Sequence, residues 1–376
     1  MEPIVMVDLK GQYAKIKDKI DAAVLDVIGS AAFINGPAVS RFQAALERYL
    51  DVDHVIPCAN GTDALQIAMM AIGLDPGDEV IVPSFTFLAT AEVIALLRLI
   101  PVMVDVDPET FNVTPEIVEA AITERTKAIV PVHLFGQSCD MDGIMAVAKK
   151  HGITVIEDNA QAIGADHISA DGTRKKTGSI GHIGCTSFFP SKNLGCYGDG
   201  GAIFTNDAEL AEKMRSVANH GMTKRYYHDR IGVNSRLDSI QAAILDIKLK
   251  HLDEYCAARV AVADRYDAAF ADIAEITTPR RSQFSTHVFH QYTLKIADGR
   301  RDALNEHLAA NDIPSMIYYP VPLQEQVAFR HFVPTGLKLP NADQLCREVI
   351  SLPIHTEMHP DTQDRIIHGV RTYFTG

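Results

Sequence analysis

Lys127-Ala128-Ile129-Val130-Pro131-Val132, a helix-patterned stretch over 142–150, and Thr154-Val155-Ile156-Glu157-Asp158-Asn159-Ala160-Gln161 decide the fold of this chain. Two short apolar runs separated by one crossover helix form a strand–helix–strand unit, which makes its strands parallel and buries them on both faces. The pattern repeats outward in both directions. Upstream, Val55-Ile56-Pro57-Cys58 precedes a helical run from Thr62, and Glu79-Val80-Ile81-Val82 precedes a helix from Thr90. The run 101–106 reads as a strand, and Thr114-Pro115-Glu116 supplies an N-cap with proline at the first helical position. Downstream, 185–189 and 202–205 complete a mostly parallel, seven-stranded sheet between helices, an α/β fold. Ligands of such sheets gather beyond the carboxyl ends of the strands, so chemistry is sought just after each run.

The second part of the chain reads differently. One long helical segment is expected from about 236 to 269, then a strand over 288–296 and helices over 301–310 and 341–350. This suits a small α+β domain, with boundaries at 1–235 for the large domain and 236–376 for the linking helix and small domain. A length of 376 residues agrees, being too long for one ordinary core.

Composition narrows the function classes. No apolar run is long enough to span a membrane, and the start of the chain lacks the basic-then-apolar order of a secretory signal. A net charge of −13, with no basic cluster beyond Arg174-Lys175-Lys176, argues against nucleic-acid binding, so any anionic ligand must be held by local groups. The 6 cysteines include no Cys-x-x-Cys pair, which fits a reducing cytoplasm. Among 15 histidines, His287 with His290 and His355 with His359 have metal-like spacing. Neither pair has a cysteine partner or the Glu of a zinc-protease motif, so no metal is expected.

Four clusters at strand ends carry the chemistry. Asn60-Gly61-Thr62-Asp63-Ala64-Leu65 opens a helix with free backbone N–H groups and a hydroxyl, which is either an ordinary N-cap or a phosphate site. In Pro83-Ser84-Phe85-Thr86-Phe87-Leu88-Ala89-Thr90, Phe85 and Phe87 read as core residues, or as a surface for a flat ring to stack on. Asp158, just past a buried strand, is either a helix cap or a carboxylate that keeps a pyridine nitrogen protonated and so makes the ring an electron sink. Ser187-Phe188-Phe189-Pro190-Ser191-Lys192-Asn193-Leu194-Gly195 places a lysine between an apolar strand and the glycine-rich Gly198-Asp199-Gly200-Gly201. A lysine there can form a Schiff base with a carbonyl cofactor, and desolvation would lower its pKa into the range of a working base. The glycines do not spell a dinucleotide fingerprint or a P-loop. Asp105-Val106-Asp107 has the two-carboxylate form used by sugar transferases to hold a metal, but it reads as a strand end.

In order and spacing these clusters resemble the sugar aminotransferases of the DegT/DnrJ/StrS family, and the resemblance runs from about Asp8 through the C-terminal region. It implies the aspartate aminotransferase type of fold (pyridoxal phosphate fold type I) and a homodimer with shared active sites. It also implies pyridoxal 5′-phosphate as cofactor, with Lys192 as Schiff-base lysine and catalytic base and Asp158 paired with the pyridine nitrogen. Gln161 would lie near the ring hydroxyl, Gly61, Thr62 and Ser187 at the phosphate, and Phe87 on the ring face. Relatives that replace the lysine by His become dehydratases, and Lys192 argues against that branch. A fifth motif, Gly232-Val233-Asn234-Ser235-Arg236-Leu237-Asp238, would send Asn234 to the cofactor phosphate of the neighbouring subunit. Arg236 would fork onto the donor carboxylate, or else form a salt bridge at the following helix. The segment Tyr318-Tyr319-Pro320-Val321-Pro322-Leu323-Gln324 resembles the part of the small domain that enters the site. Relatives often have His at the positions of Tyr318 and Gln324.

The Val-Asn-Ser-Arg-Leu-Asp form is similar to that of enzymes that aminate C3 of a keto sugar. The resemblance implies transfer from L-glutamate to a nucleotide-linked keto sugar, UDP-2-acetamido-2-deoxy-3-keto-glucuronate, for bacterial surface polysaccharide. The alternatives are the same chemistry on a dTDP-3-keto-6-deoxyhexose and a non-catalytic regulator or sensor that keeps the cofactor pocket. A regulator would lack Lys192 or carry an added DNA-binding segment, and neither is seen.

Overall fold

A computed structural model describes residues 3–375. Helix α1 (Leu9–Ser30) starts where the Asp8 carboxylate accepts from Gly11 N at 2.8 Å, and α2 (Pro37–Leu50) starts with proline in its first turn. The expected alternation follows: β1 (His54–Cys58), α3 (Gly61–Ala71), β2 (Glu79–Pro83), α4 (Ala89–Leu96), β3 (Ile100–Val104), α5 (Pro115–Ala120), β4 (Thr126–Ile129), α6 (Met141–His151) and β5 (Thr154–Asp158). Helix α6 ends at Gly152 with φ +67°, a left-handed stop that glycine adopts without steric cost. A hairpin of β6 (Asp166–Ile168) and β7 (Arg174–Lys176) leads to β8 (Ile183–Ser187), β9 (Gly201–Thr205) and α7 (Ala208–Ala218). A second hairpin, β10 (Met222–Lys224) with β11 (Tyr227–His228), precedes α8 (Ser239–Leu249) and α9 (Leu252–Phe270). The chain closes with β12 (Ile276–Thr277), β13 (Tyr292–Ile296), α10 (Arg301–Ala310), α11 (Pro340–Glu348), β14 (Val349–Leu352) and α12 (Pro360–Thr375).

The main sheet has 7 strands in the order β1-β9-β8-β5-β4-β2-β3. All neighbours are parallel except β9, which is antiparallel to both β1 and β8. Cys58 and Ser187 both face Gly201 across the ladder, so the ends of β1 and β8 meet at the start of β9. A Cβ on Gly201 would stand 2.4 Å from the Asn60 carbonyl, so only glycine allows that approach. The end of β5, Asp158, lies beside β8 at Cys185. Strands β2 and β9 are buried along their whole length, as a sheet covered on both faces requires. Among the described residues no helix is long and apolar enough to cross a membrane.

The sequence reading and the structure part company in three places. The expected single helix over 236–269 is two, α8 and α9, broken at His251 (φ −109°, ψ 1°). Helix α8 packs on α1 and α2, whereas α9 contributes Val262, Ala263, Tyr266 and Phe270 to the core shared with β13 and β14, so the bend serves two packing surfaces. The helix expected over 341–350 stops at Glu348, because fully buried Val349-Ile350-Ser351-Leu352 pairs antiparallel with β13. Tertiary pairing there outweighs local helix propensity. The strand expected over 288–296 begins only at Tyr292, since Phe289 sits at φ +46° and turns the chain first.

Candidate active site

A cavity of about 770 Å³ opens at the carboxyl ends of β1, β2, β5 and β8. At one end, Asn60 caps α3 by accepting from Asp63 N at 2.8 Å. The N–H groups of Gly61 and Thr62 precede the first intrahelical bond and present the positive end of the helix dipole, which can hold an anion. Ser187 closes in from β8, and a Cβ on Gly61 would stand 2.7 Å from Ser187 Cβ. Glycine at 61 is therefore what lets the hydroxyl of Ser187 share the site with the helix end.

The other end holds the titratable groups. Asp158 is buried, its Oδ2 accepting from Thr90 Oγ1 at 2.9 Å and its Oδ1 from Ala160 N at 3.1 Å. Burial raises its pKa, against those two hydrogen bonds and the Lys192 charge. Lys192 lies across the same cavity. Burial lowers its pKa to about 8, against the opposing pull of Asp158. Burial thus moves both groups toward their neutral forms. Behind Asp158, the neighbouring Glu157 points away from the cavity. It accepts from His133 Nε2 at 2.7 Å, Gly178 N at 2.9 Å and Ile180 N at 2.7 Å. Burial alone would raise the Glu157 pKa, but His133 and the backbone donors hold it below the usual carboxylate range.

Gln161 is fixed at both ends of its amide. Its Oε1 accepts from Phe135 N at 2.8 Å, and its Nε2 donates to the Tyr319 hydroxyl at 3.1 Å. Phe135 holds φ +56° within a cluster of Phe85, Phe111 and Tyr319 rings. Phe87 is 57% exposed, its ring 6.4 Å from that of Tyr319, so it is a cavity wall and not a core residue. Phe85, at 1% exposed, belongs to the core. The Tyr318–Tyr319 segment is held near the end of β2 through Leu323 N, which donates to Ser84 O at 3.0 Å, and through Gln324, which bonds Ser84 and, on α11, Asp343.

The structure brings Gly61, Thr62, Phe87, Asp158, Gln161, Ser187, Lys192, Tyr318 and Tyr319 to this one cavity. It does not bring Asn234 or Arg236 there. Asn234 is exposed, and its backbone bridges to Asn219. The motif nevertheless lies near the start of α3, because Ser235 Oγ accepts from Ala59 N at 3.0 Å. The paired histidines have separate partners. His287 stacks on Phe289 with ring centroids 3.8 Å apart, and His355 Nδ1 accepts from Glu357 N at 3.2 Å.

Sequence reasoning missed several residues in or behind the cavity wall. Thr90 stood at an expected helix start and could have been read as a partner for Asp158. Phe135 carries no local signal, and His290 was noticed only for its spacing from His287; both are placed in the wall by contacts between distant segments. Two buried polar atoms of the cavity wall, Thr86 Oγ1 and His290 Nδ1, have no hydrogen-bond partner among the described residues. Together with the helix end, the buried carboxylate and the amine, they fit a ligand that carries a phosphate and a polar ring.

The profile of the DegT/DnrJ/EryC1/StrS aminotransferase family matches residues 14–371. The chain is 48% identical over 352 residues to the UDP-2-acetamido-2-deoxy-3-oxo-D-glucuronate aminotransferase of Pseudomonas aeruginosa, covering 94% of this chain and 95% of that one. It is 44% identical to the UDP-N-acetyl-3-dehydro-α-D-glucosamine 3-aminotransferase of Acidithiobacillus ferrooxidans, covering 99% and 98%. A Bacillus subtilis protein solved with bound cofactor PMP superposes with a TM-score of 0.92 at 31% identity, covering 100% of this chain and 86% of that one.

Proposed function

We propose, for a chain that belongs to the DegT/DnrJ/EryC1/StrS aminotransferase family, transfer of an amino group from L-glutamate to a nucleotide-linked keto sugar with pyridoxal 5′-phosphate as cofactor. The observation that carries this reading is the convergence of Lys192, Asp158 and the N-terminus of α3 on one cavity. The cofactor supplies an electron sink for the carbanion formed at the donor's Cα. The chain's own groups do the rest. Gly61 and Thr62 N–H with the Ser187 hydroxyl bind the cofactor phosphate. Asp158 would hold the ring nitrogen and favour its protonated form, Gln161 would serve the ring hydroxyl, and Phe87 would cover the ring. Lys192 Nζ would hold the cofactor and, when free, would be the base placed to take the proton from the donor's Cα. A pKa near 8 lets the amine act as a base close to neutral pH. In a homodimer with shared sites, Asn234 of one subunit serves the cofactor phosphate of the other, and Arg236 pairs with the donor carboxylate. Tyr318 and Tyr319 border the sugar.

The acceptor is a 3-keto sugar, UDP-2-acetamido-2-deoxy-3-keto-glucuronate, made for a bacterial surface polysaccharide such as lipopolysaccharide O-antigen. The 48% identity to the Pseudomonas aeruginosa enzyme supports this choice. The second relative, as named, acts on a glucosamine in place of a glucuronate, so C6 is the position to test. Action in the reducing cytoplasm is supported by 6 free, buried cysteines.

The test has two stages. Purified protein with pyridoxal phosphate is mixed with L-glutamate, and loss of the bound cofactor's long-wavelength absorbance is followed. The glutamate-charged protein is then offered the UDP-linked 3-keto-uronate, its C6-hydroxymethyl counterpart and a dTDP-3-keto-6-deoxyhexose. Recovery of the absorbance fastest with the uronate is expected. A spectrum that ignores glutamate refutes the aminotransfer reading and points to a cofactor-keeping sensor. Preference for another sugar moves the substrate assignment.

A further inference from the structure

The turn that carries Lys192 closes tightly on itself. Lys192 N donates to Phe189 O and Cys196 N to Phe188 O, both at 2.8 Å. A Cβ on Gly195 would stand 2.3 Å from Pro190 O, so glycine is what lets the two ends of the turn meet. The segment is also gripped from outside. Asn193 Nδ2 donates to Val288 O at 2.9 Å. The other grips come from one helix, α8. Gln241 Oε1 accepts from Tyr197 N at 2.8 Å, and its Nε2 donates to Tyr197 O at 3.3 Å. Lys248 Nζ donates to Gly195 O at 2.5 Å. Gln241 and Lys248 stand two helical turns apart on the same side of α8, so a single helix face holds the chain just beyond Lys192.

Lys248 is a costly residue for that face. It is 1% exposed, and among the described residues its amine has no carboxylate partner. Burial lowers its pKa to about 8. The Tyr197 ring, with its centroid 5.3 Å from Nζ, offsets part of the lost hydration. An apolar side chain of similar length would fill the same space without desolvating an amine. What it could not do is hold the Gly195 carbonyl. Lys248 is not among the residues that line the cavity, so it can act on the chemistry only through the turn.

We propose that Lys248 is a positioning residue for Lys192: its amine holds the Gly195 carbonyl and so keeps the 189–195 turn, and with it the root of the Lys192 side chain, in one place whether Lys192 is attached to the cofactor or free. Lys248 gains and loses no proton in the reaction. Gln241 supports it by fixing Tyr197 at the far side of the turn. The proposal rests on Lys192 as the proton-moving base. A base must stand within hydrogen-bond reach of the proton it takes, and a shift of its anchor is felt directly in the rate.

The experiment uses Lys248→Met in the full-length protein, a change that keeps length and volume and removes the donor. In cofactor-free protein, amide hydrogen exchange followed by mass spectrometry should be roughly tenfold faster in peptides spanning 189–197 and unchanged in β5 and α3. Stability in a denaturant titration should hold or rise, because a lone buried amine has been replaced by an apolar chain. In the reconstituted enzyme, the single-turnover rate constant with L-glutamate should fall roughly 10- to 100-fold, with the glutamate concentration for half-maximal rate within about twofold of wild type. Glutamate deuterated at Cα should slow the Met variant more than wild type, since proton transfer to a displaced amine limits the rate. If Lys248→Met does not fold, Gln241→Leu is measured in its place and should move exchange, rate constant and isotope effect in the same directions. Unchanged exchange over 189–197, or a rate constant and isotope effect equal to those of wild type, overturns the proposal. So does a loss of stability with an unchanged isotope effect, which is the mark of a merely structural lysine. The exchange readout needs neither cofactor nor glutamate, so it decides the grip on the turn even where wild type itself ignores glutamate and the aminotransfer reading fails.

Discussion

Replacing Asp158 by Asn separates charge from shape. The wild-type carboxylate receives two hydrogen bonds, at 2.9 Å from Thr90 Oγ1 and 3.1 Å from Ala160 N. An asparagine can keep both contacts. Its Oδ1 accepts from the Ala160 amide, and its Nδ2 donates to the Thr90 hydroxyl, which turns from donor to acceptor. Burial already disfavours the charged form of Asp158, so removing the charge leaves no uncompensated group behind. Stability in a denaturant titration should therefore stay within about 1 kcal/mol of wild type. The reaction should not survive so well. A unit charge pair about 4 Å apart at an effective dielectric constant near 20 is worth about 4 kcal/mol, and 1.36 kcal/mol is a factor of ten in rate. The single-turnover rate with L-glutamate should fall about 10³-fold, while the cofactor stays bound through Lys192 and the phosphate site. Asp158→Asn turning over glutamate within a few fold of wild type would refute the assignment of Asp158 to the ring nitrogen. A large loss of stability would refute the claim that its role is electrostatic and not structural.

Other outcomes follow from the same geometry. Gly61→Ala places a Cβ 2.7 Å from Ser187 Cβ, so the helix end and the hydroxyl must separate; overpacking of this kind costs about 1–3 kcal/mol, and pyridoxal phosphate affinity, measured by equilibrium titration, should drop roughly 10- to 100-fold. Glu157→Gln should destabilise the protein by roughly 3–5 kcal/mol in denaturant unfolding, because the carboxylate accepts from His133 and several backbone N–H groups that an amide nitrogen cannot serve. Since the folded-state pKa of Glu157 lies below its unfolded value, its stabilising effect is present above about pH 4.5 and is lost as pH falls through the lower folded value; the Gln variant should lack that part of the acid limb. Tyr319→Phe leaves Gln161 Nε2 without its partner at 3.1 Å, and a loss of about 1–2 kcal/mol in thermal or denaturant unfolding is expected.

Much of the molecule was legible because its signals are local. Each sheet strand is a short apolar run, and crossover helices α3, α5 and α6 begin at the capping residues Asn60, Thr114 and Asp140, whereas α4 begins at Leu88 without a side-chain cap. Gly61, Asp158 and Lys192, which sit at or just after those runs, could be named from sequence as candidates, and the structure brings them to one cavity. What escaped is set by partners far along the chain. Val349–Leu352 becomes a strand only because β13 is there to pair with it. The break at His251 reflects two packing surfaces and no proline or glycine. Phe135 and His290 enter the cavity wall through a clasp between segments that lie far apart in sequence.

The strand order also sets when the phosphate site can exist during synthesis. Strand β1, which carries the start of α3, has a single sheet neighbour, β9 at residues 201–205. At ribosomal rates of about 5–20 residues per second, the intervening chain takes on the order of ten seconds to emerge. During that interval β1 is an unpaired edge, and the pocket lacks both Ser187 and Lys192. The cofactor therefore cannot template the nascent fold. It is bound late, by a sheet whose closing strand has arrived, and until then the newborn chain depends on keeping that edge covered.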